Sequence, residues 1–466
     1  MTRVVIVGAG MAASRLVEGL LARGMDDITV LGDEPHLPYN RILLSAVLEG
    51  THRPGTLALR SSEWYAERGV DLRRDTRVVD IDRERRRVVL ADTTECPYDV
   101  LVLATGSIPT LPPIRGLVEA TGRLHPAVHA FRTMADCERL DEAVPGARRA
   151  VVVGGGLLGL QVARALGVRG LDVEVVEGGE HLLRSHVDEK AGAILARDLR
   201  RLGTAVYTGA RAVRLTDDGL VLDNGYVLST DLVVLTAGGR PSASLARAAG
   251  LETRRGIVVD ETLTTSDPAI HAIGDCAQFA GRTTGFVPAA WEQAGVLADR
   301  IAGGTSTYDG SRTVARLRAT DLEVAVLGEA DAADREGARV VEISNPIAGS
   351  HRRLVVRDGV VVAATLVGDL SRVGLITQHF DRRSVLGPHE PGALLMGERP
   401  VEASEFSLPD EAEVCACAGV TAGAIRACHS LEHVRDSTRA TTGCGGCAAA
   451  VRQILATRPT LEGAPS

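Results

Sequence analysis

Two segments of the chain repeat one pattern of apolar and polar positions. Residues 3–7 (RVVIV) form a short apolar run that predicts a buried parallel strand; a glycine turn, an amphipathic helix and a second strand, DITVLGDE, follow. Residues 150–177 (AVVVGGGLLGLQVARALGVRGLDVEVVE) repeat this order. After each repeat comes a strand-rich segment with a returning strand that ends in glycine, YDVLVLATGS and later LSTDLVVLTAGGRP. The pattern predicts an α/β protein with two Rossmann-like dinucleotide-binding domains.

The pattern changes after residue 310. The runs LRATDLEVAVLG, ARVVEIS and HRRLVVRDGVVVAATLVGD alternate with a period of two, which is typical of antiparallel strands, and RDG indicates a hairpin. SRVGLITQHFDRR then predicts a helix. These features predict a small α+β domain over 311–396 and a polar, proline-punctuated linker over 397–411. A short domain over 412–457 should follow, with helices at VTAGAIRACHSL and CAAAVRQILAT.

Composition narrows the class of protein. The chain has 466 residues and a net charge of −8, with 45% hydrophobic but only 3% aromatic residues, so Val, Leu, Ala and Ile must build the core. The arginines form no basic stripe, so nucleic acid is not an expected partner. No apolar run reaches the about 20 residues of a membrane span, and the N-terminus lacks a secretory signal. Eight cysteines are too few for a disulfide framework, so we expect a cytoplasmic protein.

The first glycine turn, GAGMAA, has the spacing of a dinucleotide-binding fingerprint. Gly8 permits the sharp turn, Gly10 lets a pyrophosphate approach the backbone, and Ala13 stands at the helix-packing position. Free N–H groups at the helix N-terminus would then bind the phosphates. Asp33 and Glu34 end the second strand, where an acidic side chain accepts from ribose hydroxyls.

The second glycine turn follows the fingerprint more strictly. Gly154, Gly156 and Gly159 occupy its three glycine positions, and Glu177 stands at the ribose position. A carboxylate there repels a 2′-phosphate, which favours NADH over NADPH. Arg184 is seven residues downstream and need not reach that site. One such motif is weak evidence, but two copies with correctly spaced acids predict dinucleotide binding.

The motifs and their order resemble the pyridine nucleotide-disulfide reductase superfamily. The matching stretches are GAGMAA, PYNRILLS, VLATGSIP, the second GGGLLG, TAGGRP and TSDPAIHAIGDCAQ, over residues 1–300. In that superfamily the first fingerprint holds FAD and the second holds NAD. The resemblance therefore implies an FAD-binding domain over 1–115 and 241–310 and an NAD-binding domain over 116–240.

The same resemblance implies roles for further residues. Carried over position by position, it places Arg41, Thr105 and Gly106 near FAD and Asp275 on the ribityl chain of FAD. Gly238 of TAGGRP is a further cofactor-binding residue on this basis. The alternative for Asp275 is an aspartate that caps a turn.

The flavin environment departs from the family pattern in two ways. Disulfide reductases carry paired cysteines after the first ribose acid, whereas PYNRILLSAVL has none, so no thiol relay is expected. Similar ferredoxin reductases often carry a lysine and a glutamate where this chain has Ala46 and Gln161, so we assign no catalytic residue. Trp291 lies either near the flavin or in the core. Three isolated cysteines are more typical of small buried hydrophobic residues than of nucleophiles: Cys96, Cys137 and Cys276.

Four cysteines near the end of the chain form a candidate metal site. EVCACAG supplies Cys415 and Cys417, and TTGCGGC supplies Cys444 and Cys447. Four thiolates can hold a [2Fe–2S] cluster or a zinc ion. The tight CxC pair, and the paired glycines that expose amides to cluster sulfurs, favour the cluster. Cys428 lies between the pairs in a predicted helix and is expected to pack.

The cysteine segment resembles the bacterioferritin-associated-ferredoxin type of [2Fe–2S] domain. The order of domains is similar to that of assimilatory NADH nitrite reductases, which continue into a sirohaem domain. This sequence has no further cysteine set, so nitrite reduction is not expected and the resemblance extends to electron-transfer subunits of assimilatory nitrate reductases.

This resemblance implies that electrons pass from NADH to FAD, to the [2Fe–2S] cluster and to a separate redox protein. The expected partner is the catalytic subunit of a molybdenum nitrate reductase. Two alternative functions remain. The chain could be the reductase component that serves a nitrite reductase, a rubredoxin or a dioxygenase ferredoxin, or it could be a non-catalytic redox sensor.

Overall fold

The computed structural model describes residues 2–311, 314–318, 323–396, 408–416, 418–443 and 446–456. The strands, in chain order, are β1 Val4–Val7, β2 Ile28–Leu31, β3 Asp71–Arg73, β4 Val78–Asp82, β5 Arg87–Leu90, β6 Glu95–Pro97, β7 Val100–Leu103, β8 Ser107–Pro109, β9 Val128–Ala130, β10 Arg149–Val153, β11 Asp172–Glu177, β12 Ala205–Thr208, β13 Ala212–Thr216, β14 Gly219–Leu222, β15 Val227–Leu228, β16 Leu232–Leu235, β17 Gly239–Pro241, β18 Ile257–Val259, β19 Ile270–Ala272, β20 Ala277–Phe279, β21 Arg282–Thr283, β22 Val314–Arg318, β23 Glu323–Gly328, β24 Arg339–Asn345, β25 Ser350–Arg357, β26 Val360–Val367, β27 Glu413–Cys415 and β28 Val420–Thr421.

The helices complete the layers. The α-helices are α1 Met11–Leu21, α2 Leu44–Glu49, α3 Ser62–Glu67, α4 Met134–Ala143, α5 Leu157–Val168, α6 Glu189–Arg201, α7 Ser244–Ala248, α8 Val287–Ile301, α9 Val373–Arg382, α10 Glu390–Leu395, α11 Ala422–Arg426, α12 Leu431–Thr438 and α13 Ala448–Ala456. Short 3₁₀ helices lie at Arg41–Leu43, Pro54–Leu57, Val144–Gly146, Gly274–Cys276 and Ala330–Asp334.

The first Rossmann sheet is parallel and has the strand order β19-β7-β1-β2-β3. Its central strand β1 is fully buried, because Val4–Val7 is a continuous apolar run with helices over it. Helices α1 and α8 pack closely, and a Cβ added at Gly19 would lie 2.8 Å from the Cβ of Ala298. Strand β19 follows the second Rossmann unit in sequence but pairs with β7 of the first sheet, so the first unit is built from two separate segments of the chain.

The second Rossmann sheet has the order β12-β11-β10-β16-β9, and each of its strand pairs is parallel. Its buried strand β10 continues directly into the second glycine turn, as β1 does into the first. A three-stranded antiparallel meander accompanies each sheet, β4-β5-β6 in the first unit and β13-β14-β15 in the second. Strands β8 and β17 pair across the two units. The predicted α/β class with two Rossmann-like domains is confirmed.

The region after 310 forms an antiparallel sheet of order β22-β23-β26-β25-β24, with α9 and α10 packed on it. The predicted RDG hairpin joins β25 to β26, and Asp358 and Gly359 adopt φ values of 52° and 76° there. The side chains of Val326 and Val367 join the apolar core of the second Rossmann unit, so the sheet packs against that unit. Residues 397–407 of the predicted linker lie outside the described residues.

The C-terminal cysteine-bearing unit contains β27, β28 and helices α11, α12 and α13 around a small apolar core. One prediction about it is wrong. The helix expected over VTAGAIRACHSL ends at Arg426, and Cys428 lies in the turn that follows rather than inside a helix. The reason is a new helix start: the Ser430 hydroxyl accepts from the N–H of His433 and caps α12. Cys428 is nevertheless buried, as packing requires.

Across the described ranges, no helix is both long and apolar enough to cross a membrane.

Candidate functional site

The first fingerprint forms an open cradle at the end of β1. Gly8 has φ of +107°, and a Cβ there would lie 2.3 Å from the carbonyl oxygen of Ala104, so only glycine fits. Gly10 is the N-cap of α1, has no side-chain capping bond, and a Cβ there would meet nothing within 4 Å. Ala13 lies on the buried face of α1. The free space over an uncapped helix N-terminus fits a dinucleotide pyrophosphate.

The two acids after β2 have different surroundings, which the sequence pattern did not distinguish. Glu34 accepts a 2.8 Å hydrogen bond from the hydroxyl of Tyr39 and forms an ion pair with Arg41. Asp33 is exposed beside the cradle. The Arg41 guanidinium also lies 4.9 Å from the ring centroid of Tyr39. Glu34 is thus held by Tyr39 and Arg41, whereas the side chain of Asp33 is exposed.

Asp275 lies in the 3₁₀ turn after β19, and its carboxylate contacts the side chains of Ser107 and Arg132. Its Oδ2 accepts 2.8 Å from the hydroxyl of Ser107 and 2.7 Å from the guanidinium of Arg132. The Nε of Arg132 donates 2.9 Å to the carbonyl oxygen of Ser107. Sequence reasoning missed Arg132, because no local motif marks it. The carboxylate of Asp275 therefore engages side chains between the two Rossmann units, which differs from the turn-capping alternative.

Two more predicted flavin-site positions lie in the same region. Thr105 donates through its hydroxyl, at 2.7 Å, to the carbonyl oxygen of Ser242. Gly106 has φ of +66° and open space at its Cβ position. Trp291 is half-buried on α8, with the guanidinium carbon of Arg15 5.9 Å from its ring centroid. Trp291 is therefore not a fully buried core residue.

The second fingerprint repeats the first with tighter packing. Gly154 has φ of +119°, and a Cβ there would lie 2.6 Å from the carbonyl oxygen of Thr236. At Gly159 an added Cβ would lie 1.9 Å from the carbonyl oxygen of Gly154, so this glycine permits the close contact of helix and turn. Gly156 caps α5 without a side-chain bond and faces open space. Gly238, with φ of +88°, has open space as well.

Glu177 ends β11, and backbone amides hold both oxygens of its carboxylate. Oε2 accepts 2.7 Å from the N–H of Gly155, and Oε1 accepts 2.6 Å from the N–H of Gly179. The expectation that Arg184 need not reach this site is corrected, since its Nε lies 3.6 Å from Oε1 of Glu177. The loop turns back because Leu183 adopts φ of 54° and donates its N–H to Gly155.

Similar ferredoxin reductases often carry a lysine and a glutamate at the positions of Ala46 and Gln161. These two positions lie on α2 and α5, which pack together. Ala46 and Gln161 are both half-buried there. Three residues further along each helix, Glu49 and Arg164 form an ion pair of 3.1 Å. The contact between these helices therefore carries a charge pair, displaced by about one turn from the expected position.

The three isolated cysteines near the nucleotide units are buried, as predicted. Burial raises the pKa of the Cys137 thiol to about 12 and also raises that of Cys96 and Cys276. The thiol of Cys276 donates 3.3 Å to the carbonyl oxygen of Leu103. A raised thiol pKa disfavours the thiolate, so these residues suit packing rather than nucleophilic chemistry.

Two of the four candidate metal ligands can be placed. Cys415 at the end of β27 and Cys447 before α13 are both buried in the core of the C-terminal unit. The N–H of Thr441 donates 3.2 Å to the sulfur of Cys447, a contact typical of sulfur ligands in a cluster. Cys417 and Cys444 lie outside the described residues. Among the residues that the structure describes, no group of three or more metal-binding side chains occurs. The placed pair fits a thiolate-bound centre.

Comparison with known proteins agrees with this geometry. Residues 2–294 match the family described as pyridine nucleotide-disulphide oxidoreductase, and residues 413–457 match the BFD-like [2Fe-2S] binding domain. The nitrite reductase [NAD(P)H] of Bacillus subtilis (strain 168) is 32% identical over 468 residues, which cover 97% of this chain and 57% of that protein. The assimilatory nitrate reductase electron transfer subunit of the same organism is 32% identical over 474 residues, which cover 97% and 59%.

A solved structure is similar over most of the fold. The covalent putidaredoxin reductase–putidaredoxin complex has a TM-score of 0.77 and 28% identity, covering 85% of this chain and 96% of that chain. The chain spans less than three fifths of the length of the two curated relatives. The matched families imply FAD, NAD(P)H and a [2Fe–2S] cluster as cofactors, and the glycine cradles and buried cysteines fit them. This chain belongs to the pyridine nucleotide-disulphide oxidoreductase family and carries a BFD-like [2Fe-2S] binding domain after its nucleotide-binding units.

Proposed function

We propose that this chain takes a hydride from NADH and delivers the two electrons, one at a time, to a separate redox protein. FAD supplies the change from two-electron to one-electron chemistry, and the cluster carries single electrons. The observation that supports this most directly is a contact between the cysteine-bearing unit and PYNRILLS, residues 38–45, which we call the flavin segment. The side-chain amide of Asn40 donates 2.8 Å to the carbonyl oxygen of Thr442, two residues before Cys444. Asn40 precedes Arg41, which the sequence assigns to FAD.

The residues of the first unit divide the work of holding FAD. Gly8, Gly10 and Ala13 leave the N-terminus of α1 open to the pyrophosphate, and Asp33 accepts from the ribose. Arg41, Thr105, Gly106 and Asp275 surround the flavin end, and Glu34 and Arg132 orient Arg41 and Asp275 through the ion pairs described above. We propose domain limits of 1–115 with 241–310 for FAD and 116–240 for NAD.

The second unit holds NADH through Gly154, Gly156, Gly159 and Gly238. Glu177 accepts from the adenosine ribose, and its carboxylate is fixed by two backbone amides. A 2′-phosphate on this ribose would lie beside the negative charge, so NADH is preferred over NADPH. Arg184, which is 65% exposed, neutralises part of that charge and limits the preference.

Cys415, Cys417, Cys444 and Cys447 hold the cluster. The hydrogen bond from Thr441 to Cys447 stabilises negative charge on a metal-bound sulfur, and the match of residues 413–457 to a BFD-like [2Fe-2S] binding domain supports a redox cluster over zinc. The unit sits against the flavin segment, where a structural zinc ion would have no electron-transfer role.

The proposed acceptor is the catalytic subunit of a molybdenum nitrate reductase, in the cytoplasm where NADH is available. Support comes from the electron transfer subunit that is 32% identical over 97% of this chain. Electrons balance, since one NADH yields NAD⁺, one proton and two electrons, and nitrate with two electrons and two protons yields nitrite and water. A sirohaem nitrite reductase is the second candidate, because the nitrite reductase relative is equally similar.

The acceptor is tested by reconstitution with purified proteins. The full chain, NADH and a molybdenum nitrate reductase catalytic subunit are mixed with nitrate, and nitrite is measured against NADH consumed. One nitrite per NADH supports the proposal. Ammonium from nitrite with a sirohaem nitrite reductase, and no nitrite from nitrate, would transfer it to the second candidate. Failure to turn over NADH with ferricyanide would instead favour a redox sensor.

A further inference from the structure

The cysteine-bearing unit contacts the FAD-binding unit at a second place, and this contact is ionic. The guanidinium of Arg439 lies 3.4 Å from Oε1 of Glu18 on α1. The Asn40–Thr442 hydrogen bond lies only three residues further along the C-terminal unit. The loop 439–443 therefore touches the FAD-binding unit through one charged and one neutral contact.

Glu18 is the shared counter-charge of three arginines. Besides Arg439, it pairs with Arg60 at 2.8 Å and with Arg15 at 3.3 Å, and both belong to the FAD-binding unit. Its carboxylate is only 18% exposed, and Arg60 and Arg439 are each less than one third exposed. Burial lowers the pKa of Arg439, and the nearby charges of Arg60 and Arg15 lower it further. Without Glu18 the loop would present a cation to two other cations.

The loop that makes these contacts also supports a cluster ligand. Arg439 and Thr441 adopt left-handed φ values of 63° and 70°. Hydrogen bonds hold this shape: the hydroxyl of Thr442 donates 2.8 Å to the carbonyl oxygen of Arg439, and the Nε of Arg435 donates 3.1 Å to the hydroxyl of Thr441. The N–H of Thr441 then donates to Cys447. Because these bonds fix the loop from Arg439 to Thr442, a shift of Arg439 would also move the N–H group that donates to Cys447.

We propose that Glu18, through Arg439, docks the [2Fe–2S] domain onto the FAD-binding domain and fixes the approach of the cluster loop to the flavin segment. This inference rests on the proposed function. Glu18 is a positioning residue, since it touches the loop rather than the reacting atoms. Thr442 accepts from Asn40, and its neighbour Thr441 donates its N–H 3.2 Å to the sulfur of Cys447, so docking brings a candidate cluster ligand close to the flavin segment. Because electron transfer slows steeply with distance, undocking should slow cluster reduction selectively.

The test is charge reversal with rescue in the full, cofactor-loaded chain. Glu18→Arg and Arg439→Ala should each slow cluster reduction by NADH by about tenfold or more, while flavin reduction by NADH stays within about twofold. The double variant Glu18→Arg with Arg439→Glu should recover the rate, because a carboxylate at 439 then faces Arg15 and Arg60. Glu67→Arg on α3 is the control, since the side chain of Glu67 is 72% exposed and pairs with the adjacent Arg68.

Amide hydrogen exchange gives a readout that is independent of turnover. Over residues 36–43 and 431–443, each single variant should exchange faster than wild type without any NADH, and the double variant should regain protection. Unchanged exchange and unchanged cluster reduction in both single variants would overturn the docking role, as would a double variant that recovers neither. A wild-type cluster that NADH cannot reduce would sink the proposed function instead, while the exchange comparison would still decide the docking.

Discussion

Arg132, between β9 and α4, forms a 2.7 Å ion pair with Asp275 in the turn after β19. The two residues come from different Rossmann units, and neither is more than 28% exposed. The hydroxyl of Ser107 contacts the side chains of both residues, so three polar groups form one network between the two units. This network links the NAD-binding unit to the residue that we assign to the ribityl chain of FAD.

Arg132→Ala should weaken FAD retention and leave the chain folded. Removing the guanidinium leaves the half-buried carboxylate of Asp275 with one donor fewer, at a cost of about 1 to 3 kcal/mol. FAD should therefore dissociate about tenfold faster or more, as followed by the rise in flavin fluorescence. Arg139→Ala on α4 is the matched control, because its guanidinium is 63% exposed and pairs with Asp136 within the same helix. Equal FAD release from both variants would remove the proposed role of Arg132.

The glycines of the second fingerprint should separate binding from folding. At Gly156 a Cβ meets open space, so Gly156→Ala should fold with wild-type stability but obstruct the pyrophosphate and raise the KM for NADH about tenfold. At Gly159 the Cβ would lie 1.9 Å from a carbonyl oxygen, so Gly159→Ala should lower the unfolding temperature. Thermal unfolding and NADH titration of the two variants measure this contrast. A Gly156→Ala enzyme with an unchanged KM would show that the pyrophosphate lies elsewhere.

The nucleotide cradles were predictable because their causes are local. Gly8 and Gly154 need left-handed φ values beside a neighbouring strand, and this requirement leaves a sequence signature of fixed spacing. Arg132 left no such signature, since its partner Asp275 is 143 residues away and only the folded chain brings them together. The same holds for Glu18 and Arg439, which are separated by 421 residues.

The predictions for Arg184 and Cys428 were wrong, and in both cases the cause is a local feature that the motif and periodicity patterns do not include. Arg184 reaches Glu177 because Leu183 takes a left-handed conformation, which is uncommon for a leucine. Cys428 lies outside a helix because Ser430 starts a new one. The hydrophobic spacing around 422–433 runs through this break, so periodicity alone predicted one continuous helix.

Glu177→Ala should change the choice of nucleotide. Without the carboxylate, the ribose loses its acceptor and Arg184 loses its partner, so Arg184 can pair with a 2′-phosphate. The ratio of kcat/KM for NADPH to that for NADH should rise about tenfold or more. Asp172→Ala, at the exposed start of the same strand, is the control and should leave the ratio unchanged. A ratio that does not move in Glu177→Ala would mean that Glu177 does not face the ribose.

The contact of the antiparallel sheet with the NAD-binding unit should respond to acid through Asp188. Burial alone would raise the pKa of this carboxyl, but the hydrogen bond from His351, the charges of His351 and Arg353 and the N–H of Ala191 together lower it to about 2. Because this pKa is below the ordinary 3.8, the carboxylate stabilises the folded chain above about pH 4, and that contribution is lost as the pH falls toward 2. The difference corresponds to about 2 kcal/mol.

Asp188→Asn tests that pH dependence, because an asparagine keeps the cap of α6 but cannot ionise. The variant should be less stable than wild type at pH 7, and the gap should narrow between about pH 5 and pH 2, where the wild-type carboxylate becomes protonated. Urea unfolding at a series of pH values, followed by exchange protection of β25, measures the gap. Asp172→Asn serves as the control, since its side chain is exposed on β11 and should leave the acid profile unchanged. A gap that stays constant down to pH 2 would place the acid sensitivity in another carboxylate, and would reduce the contact of Asp188 with His351 to a neutral hydrogen bond.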